Sequence, residues 1–160
     1  GINTSSSNVP VVDLISNYQT DVEGIWTSTG TSESDASDGL SMSVGSALAE
    51  ANFVVFGNNN DDTGTTSSSL SGISKRSKRE WNCDEKGTVT ADVKIDISEA
   101  TGHSGSISAA SNYKLLFKTC EFCTFSEVET GDSASGDVIT FSSVAIQDGI
   151  YSIASADSNL

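Results

Sequence analysis

The sequence predicts an all-β protein, an antiparallel β-sandwich of the jelly-roll or immunoglobulin-like kind with about ten short strands. Segments compatible with strands recur at short intervals and are separated by Gly, Asn, Asp and Ser. Ser and Thr together make up 45 of the 160 residues, which favours strands and turns over helices. In residues 88–97, apolar and polar side chains alternate, as in a strand with one buried face.

Apolar side chains and the turn residues that bound them place the individual strands. Val89, Val93 and Ile95 mark the buried face of the strongest one. No long helix is predicted: residues 46–50 are compatible with one helical turn, and residues 102–111 with a flexible polar connection. The predicted strands are 9–15, 24–27, 40–44, 52–56, 79–83, 88–97, 113–118, 125–128, 138–143 and 149–154.

The chain divides into an N-terminal segment, residues 1–15, and a single β-sandwich domain, residues 16–160. A polar leader of eight residues precedes an apolar stretch in which Val9, Val11, Val12 and Leu14 are the candidate assembly residues. Such a stretch can add to an open sheet edge of another copy. The segment is therefore a candidate inter-subunit donor strand.

Charge and hydropathy limit the classes of partner. The 8 basic and 22 acidic residues leave a net charge of −14, which disfavours nucleic acid as a partner. No window of about 18 apolar residues exists, so membrane insertion by a helix is not expected. An acidic surface rich in hydroxyl groups suits an extracellular or cell-surface location. The expected partners are copies of the chain itself or neighbouring modules of the same large chain, with glycans as a further candidate.

Three cysteines, Cys83, Cys120 and Cys123, are candidates for one structural disulfide. Either Cys120 pairs with Cys123 in a tight turn, or Cys83 pairs with one of them across strands. A zinc site would need about four ligands, and the one histidine, His103, lies in a separate stretch. A bond formed outside the cell would persist.

A run of oxygen-bearing side chains makes calcium the one candidate cofactor, with none otherwise expected. Asn58, Asn60, Asp61 and Asp62 fall in a turn between two predicted strands. They lack the spacing of an EF-hand loop, and calcium needs about 6–8 converging oxygens. A solvated turn is the alternative interpretation.

Half of the basic residues, Lys75, Arg76, Lys78 and Arg79, fall within five positions. In an assembly, this patch can face an acidic loop of the next copy and orient the association. The alternative is an exposed edge strand that its charges protect against uncontrolled pairing.

No catalytic motif is apparent, and we expect no enzymatic activity. A hydrolytic triad would have to use His103, which is predicted to lie in a flexible connection. Carboxylates are too abundant for any pair to be specific. Four aromatic side chains, Trp26, Trp81, Tyr18 and Tyr151, could stack on sugar rings, although Trp81 on the apolar side of a strand is more typical of a core.

An ordered series of short motifs runs from residue 38 to residue 154: DGLSMS at 38–43, NFVVFG at 52–57, GISKRSKREW at 72–81, DEKGTVT at 84–90, YKLLF at 113–117, SGDVITF at 135–141 and DGIY at 148–151. The series resembles β-sandwich modules of large secreted surface proteins and adhesins of Bacteroidetes and other marine bacteria. The resemblance implies a non-enzymatic building block. Related modules often carry an Asp-rich loop where this chain has TCEFC at 119–123, so a calcium site is not carried over to that loop.

The expected function is that of a non-enzymatic structural subunit or repeat module of an extracellular bacterial surface filament or adhesin. Copies would be joined by strand exchange into a polymer. The alternative is a calcium-dependent carbohydrate-binding module of a secreted protein.

Overall fold

The computed structural model describes residues 24–27, 34–35, 39–44, 48, 52–59, 63–104, 106–156 and 160, with side chains described from residue 39 onward. The predicted donor strand, with Val9, Val11, Val12 and Leu14, lies outside the described residues. So do most of the predicted helical turn at 46–50 and Tyr18.

Strands dominate the described part of the chain. They are joined by one short helix, α1 (Ile97–Thr101), and one 3₁₀ turn (Ala110–Asn112). The strands are β1 (Gly24–Thr27), β2 (Ser34–Asp35), β3 (Leu40–Ser43), β4 (Phe53–Asn58), β5 (Thr65–Ser67), β6 (Lys75–Ser77), β7 (Trp81–Lys86), β8 (Thr90–Asp96), β9 (Tyr113–Lys118), β10 (Ser126–Thr130), β11 (Ser133–Ser135), β12 (Val138–Ala145) and β13 (Gly149–Ser155).

The strands form two sheets, which confirms the predicted all-β sandwich. The eight-stranded sheet is built around β13, which pairs with β9 on one side and with β7 and β6 on the other. From β7 the sheet extends through β4 to β1. From β6 it extends to β5, and from β9 it extends to β10. The five-stranded sheet has the order β11-β12-β8-β3-β2. Pairing is antiparallel except between β1 and β4, which run parallel.

A continuous core fills the space between the sheets. The main cluster joins Val54 and Trp81 of the eight-stranded sheet to Met42 and Val93 of the five-stranded sheet. Along β8, buried Ala91, Val93 and Ile95 alternate with more exposed neighbours, as predicted from the sequence. The Val93 and Ile95 side chains each contribute about 1.5–3 kcal/mol when they are fully buried.

A second, smaller apolar cluster lies apart from the main core. It joins Leu116 of β9 and Ala154 of β13 to Ile73, and Leu70 and Phe125 pack against it. In β9, Leu115 belongs to the main core and Leu116 to the second cluster, as expected for neighbours that point to opposite faces of a sheet. The outer face of the eight-stranded sheet is therefore covered here by loops.

The helix α1 corrects the sequence prediction for residues 88–97. Strand β8 ends at Asp96, and Ile97 begins a helix instead of ending the strand. The Asp96 side chain caps the helix by accepting a hydrogen bond from the Glu99 amide, and Gly102 ends it in a left-handed conformation. The pair Asp96 and Glu99, three residues apart, was the overlooked signal of a helix start.

Other strand boundaries also differ from those predicted. Strand β7 starts at Trp81 and continues to Lys86, whereas the predicted strand ran from 79 to 83. The short strands β2, β5, β6 and β11 were not predicted, because their polar residues read as loop. The predicted flexible connection at 102–111 runs into the 3₁₀ turn. Within the described part of the chain, no helix has the length and apolar character needed to cross a bilayer.

Candidate functional site

An irregularity between β6 and β7 creates a cluster of polar side chains. Tyr151 of β13 pairs with Trp81, and Ala154 pairs with Arg76. Three steps along β13 therefore face five steps along the opposite strands, so that residues 78–80 form a bulge. Bulges of this kind redirect side chains relative to a regular ladder.

The bulge is fixed from inside the protein by Ser77. The fully buried Ser77 hydroxyl donates to the Ala100 carbonyl of α1 at 2.9 Å and accepts from the Arg79 amide at 3.0 Å. The Ser152 hydroxyl of β13 lies 3.4 Å from the Ser77 carbonyl and 3.3 Å from the Arg79 carbonyl. The conformation of the bulge is thus set by α1 on one side and by the central strand β13 on the other.

Glu80 bridges two cations because of this bulge. In a regular strand, residues four apart are separated by about 13 Å, at about 3.3 Å per residue. Here Arg76 Nη1 lies 2.9 Å from Glu80 Oε1, and Lys118 Nζ of β9 lies 2.8 Å from Glu80 Oε2. The Lys118 side chain is only 7% exposed. The cluster carries two positive charges and one negative charge.

The ring of Phe125 lies next to both cations. The Arg76 guanidinium carbon is 4.9 Å from the ring centroid, and Lys118 Nζ is 4.5 Å from it. Both distances fall within the range of cation–π attraction. The ring also packs on the second apolar cluster, so it connects the charged cluster to the apolar surface beneath it.

A disulfide-closed loop follows β9 and rises beside this cluster. Cys120 and Cys123 are bonded, and the Cys123 amide donates to the Cys120 carbonyl at 3.1 Å. Lys118 Nζ donates to the carbonyl of Glu121 at 3.1 Å, which ties the loop to the cluster. Between the two cysteines, Phe122 is 93% exposed.

A serine-rich turn lies on the opposite side of the cluster. The Ser68 hydroxyl accepts from the Leu70 amide, and the Ser74 amide donates to the Ser155 carbonyl at the end of β13. Leu70 and Ile73 hold the turn down by packing on the second apolar cluster. The turn therefore has a fixed position relative to the sheet.

The loop and the turn enclose a groove of about 360 Å³. We call it the serine groove. This size falls within the range of small-ligand sites, which span about 300–1,000 Å³. Its lining comprises Ser67, Ser68, Ser69, Leu70, Arg76, Lys118, Glu121, Phe122, Cys123, Thr124 and Phe125.

A second groove of about 300 Å³ shares Glu121 with the serine groove and is also lined by Glu80. We call it the amide groove, since Asn58, Asn59 and Asn82 line it together with Gly57 and Ile150. The Asn59 side chain is already engaged: its Nδ2 donates to the Lys78 carbonyl and its Oδ1 accepts from the Glu80 amide.

The cysteine predictions are resolved by the disulfide. Pairing of Cys120 with Cys123, one of the two alternatives, is confirmed. Pairing of Cys83 is wrong, because Cys83 is a free, buried thiol of β7. Burial raises the pKa of this thiol, and the nearby Asp148 and Asp84 carboxylates raise it further.

An acidic pair lies where β7 meets the turn before β13. The Glu85 amide donates to Asp148 Oδ1 at 2.6 Å. Desolvation raises the pKa of the Glu85 carboxyl, and the Asp148 and Asp84 carboxylates raise it further. Within the described part of the chain, Glu85 Oε2 is buried without a hydrogen-bond partner.

The calcium candidates are only partly described. Asn58 is half-buried at the end of β4 and lines the amide groove, whereas Asn60, Asp61 and Asp62 lie outside the described residues. No group of three or more His, Cys, Asp or Glu side chains suited to a metal occurs among the residues that the structure describes.

The predicted basic patch is divided among different environments. Arg76 is paired with Glu80, Arg79 donates to the Glu99 carbonyl from Nη1, Lys78 is exposed and Lys75 is half-buried. The alternative of a charge-protected edge strand is wrong, because β6 pairs with β5 on one side and β13 on the other. That the basic patch orients the association of copies stays a prediction.

The aromatic candidates for sugar stacking are mostly unsuitable. Trp81 and Tyr151 belong to the main core and have almost no exposed surface, which for Tyr151 corrects the prediction. Tyr151 also accepts a hydrogen bond from the Gln147 amide. Trp26 falls in β1, where only the backbone is described. His103 is half-buried after α1, and its Nε2 has no partner among the described residues.

The serine groove was missed by sequence reasoning. Lys118 and Glu80 are 38 positions apart, so no local pattern connects them. One signal was available: Phe122 is an aromatic residue inside a Cys-x-x-Cys turn, where an exposed tip is the natural consequence of a closed loop.

Comparison with known proteins places the chain in a family. Residues 14–150 match the model of a family described as Domain of unknown function (DUF8202). The chain belongs to this family. The DUF8202 match includes the whole serine groove and all strands from β1 to the first residues of β13. No curated protein and no solved structure was found to match the chain.

Proposed function

We propose that this DUF8202 domain is a non-enzymatic structural module of an extracellular bacterial surface filament or adhesin, joined to the next copy or module by strand exchange. Its body is a β-sandwich of two packed sheets, which suits a mechanical building block. The Cys120–Cys123 disulfide supports an extracellular location, because such bonds persist in oxidising compartments.

The observation that carries the proposal is the pairing of β1. This four-residue strand, at the start of the described chain, lies at the edge of the eight-stranded sheet and runs parallel to β4, with Gly24 opposite Phe53. It is the one parallel pair among the described strands. The edge beside β4 is thus occupied by a strand from the N-terminal part of the chain itself, and in strand exchange the same strand of another copy would take this place.

The other edges of the described sheets are less suitable for accepting a strand. Strand β10 carries Glu127 and Glu129 and is interrupted by a register shift between them. Strands β2, β5 and β11 have only two or three residues each. Charges, bulges and short lengths protect edges against added strands. Strand β1, with the sequence GIWT, has no charged residue.

Deletion of residues 1–15 tests this proposal. We expect the deletion to abolish polymers seen by electron microscopy and to leave a soluble domain with unchanged circular dichroism. A sharper version replaces Val11 and Leu14 with Asp, and the matched control replaces Ser5 and Ser7 with Asp in the same segment. Polymers that persist with V11D/L14D, or that are lost equally with S5D/S7D, would contradict strand exchange.

A second candidate function is that of a calcium-dependent carbohydrate-binding module, and the amide groove favours it. Asn58, Asn82, Glu80 and Glu121, which carry amide and carboxylate groups, line a cavity of about 300 Å³ there. Such groups bind sugar hydroxyls and calcium. Calorimetric titration with calcium, followed by a glycan array with and without EDTA, separates the two candidates: binding that calcium restores after EDTA supports the module.

A further inference from the structure

We propose that the serine groove is a calcium-independent binding site for a negatively charged sugar residue, a uronate or a sugar sulfate. The site would add an adhesive contact to the module, and it does not depend on strand exchange. Three features of the groove support it: its cations, its hydroxyl and aromatic lining, and its rigid walls.

The cations provide an anchor for an anion. Arg76 and Lys118 share one carboxylate, that of Glu80, so the floor of the groove has one excess positive charge in a chain of net charge −14. The two described side-chain hydrogen bonds of Arg76 both leave from Nη1. A guanidinium has five N–H donors, so the remaining ones are available to a carboxylate or sulfate. The Arg76 side chain is 23% exposed and therefore within reach.

A second carboxylate, that of Glu121, also lines the groove. Glu121 is exposed at the rim, where solvent and salt screen its charge. Arg76 lies deeper, beside the Phe125 ring, where screening is weaker. An anion is therefore attracted to the floor more strongly than it is repelled by the rim.

The remaining lining suits a sugar better than a peptide. Ser67, Ser68, Ser69 and Thr124 offer hydroxyl groups that donate and accept hydrogen bonds, as the hydroxyls of a sugar ring require. Phe122 offers a 93% exposed ring on which the apolar face of a sugar can stack. An acidic peptide would use the cations but would leave most of these hydroxyls without a specific partner.

Both walls are preorganised, which lowers the entropy lost on binding. The disulfide and the bond from Lys118 to the Glu121 carbonyl fix the wall that carries Phe122. The bonds from Ser74 to Ser155 and the packing of Leu70 fix the serine wall. A ligand would enter a formed groove.

The test is a titration of the full ¹⁵N-labelled chain, in EDTA, followed by NMR. The probes are trigalacturonic acid, a sulfated galactose trisaccharide and neutral galactotriose. We expect one or both charged sugars to shift the amide signals of residues 67–70 and 121–125, with at least about tenfold tighter binding than galactotriose. The tighter of the two charged probes identifies the anionic group.

Three variants locate the site. We expect Arg76→Gln to weaken binding of the charged sugar at least about tenfold, since a charge-assisted hydrogen bond is lost. Lys94→Gln, an exposed strand cation of the other sheet, is the matched control with the same change in net charge and no expected effect. Phe122→Ser should weaken binding about threefold or more. Ser69→Trp, at an exposed rim position, should block it without removing a charge.

Four results with the sugar probes and the variants would overturn the proposal: equal binding of neutral galactotriose, no shifts with either charged sugar, equal losses in R76Q and K94Q, or undiminished binding in S69W and F122S. If R76Q does not fold, binding by S69W and F122S alone decides whether the groove is the site. Equal binding of a hexaglutamate peptide would also overturn it, because an acidic protein segment would then be the better partner.

Discussion

Glu80 Oε2, in the bulge at residues 78–80, and Lys118 Nζ of β9 lie 2.8 Å apart, and the Lys118 side chain is almost completely buried. Strand β13 separates β9 from the bulge that carries Glu80. The ion pair therefore spans the central strand of the eight-stranded sheet. It also sets the floor of the serine groove, so stability and the candidate site depend on the same residues.

Removal of Glu80 should destabilise the domain more than removal of Lys118. In Glu80→Gln, Arg76 and Lys118 lose their shared carboxylate, and the buried Lys118 charge stays without its counter-ion. We expect a loss of about 3 kcal/mol in the free energy of unfolding. In Lys118→Met, Glu80 keeps Arg76, and we expect a loss of about 1 kcal/mol.

Urea denaturation of both variants and of the double variant measures the coupling. The double variant should lose less than the sum of the single losses, since both substitutions break the same contact. Equal, additive losses would mean that the two side chains do not form a coupled pair.

How much of this region is predictable depends on the range of the interaction. The alternation in β8 is local, so Val93 and Ile95 were assigned to the core from the sequence. The cap formed by Asp96 and Glu99 is also local and could have been recognised. The bulge at 78–80 could not, because Ser77 is held by α1 and by β13, which are distant in the sequence.

The candidate site was partly within reach of the sequence. The Cys-x-x-Cys turn was recognised, but two pairings stayed open because spacing alone does not determine a disulfide. The basic run was recognised as unusual, yet its division could not be foreseen: Arg76 turns to Glu80 and Phe125, whereas Arg79 turns to the α1 carbonyl of Glu99. Tertiary packing determines which groups the Arg76 and Arg79 side chains contact.

Glu85→Gln should stabilise the domain at neutral pH. The pKa of the Glu85 carboxyl in the folded state is raised above its ordinary value of 4.5. Between the ordinary pKa and the raised pKa, the folded state therefore binds more protons than the unfolded state. Stability therefore falls as the pH rises through this window, and the neutral amide removes that loss. We expect a higher urea midpoint at about pH 7 and no difference below the ordinary pKa.

The exposed Glu121→Gln is the control for Glu85, since it removes one carboxylate from the surface with the same change in net charge. An E85Q variant that is less stable than the natural chain at neutral pH, or that gains the same amount in acid, would show that desolvation of Glu85 is not the cause.

Thiol labelling should give three distinct counts. Cys83 is buried and its pKa is raised by burial, then by Asp148 and Asp84, so the folded protein should not react with a maleimide. Unfolding without reductant should expose one thiol, and unfolding with reductant all three. Mass spectrometry counts the labels. A label on the folded protein, or three labels without reductant, would contradict the assignment; Cys83→Ser should remove the single label.

Gly131 marks the point where the chain crosses from one sheet to the other, and Gly131→Ala should disturb that crossing. Its amide donates to the Tyr113 carbonyl of β9, and the next amide donates to the Thr140 carbonyl of β12. A Cβ at Gly131 would lie 2.4 Å from the Ala110 carbonyl oxygen and 2.9 Å from the Ile139 side chain. We expect a loss of about 2–3 kcal/mol in the free energy of unfolding, measured by urea denaturation, because neither neighbour can move freely.

Gly136→Ala is the control: a Cβ there meets nothing within 4 Å, and only its φ of +63° is unfavourable, at about 1 kcal/mol. If G131A were no less stable than G136A, the close approach of the two sheets at this crossing would not constrain the chain.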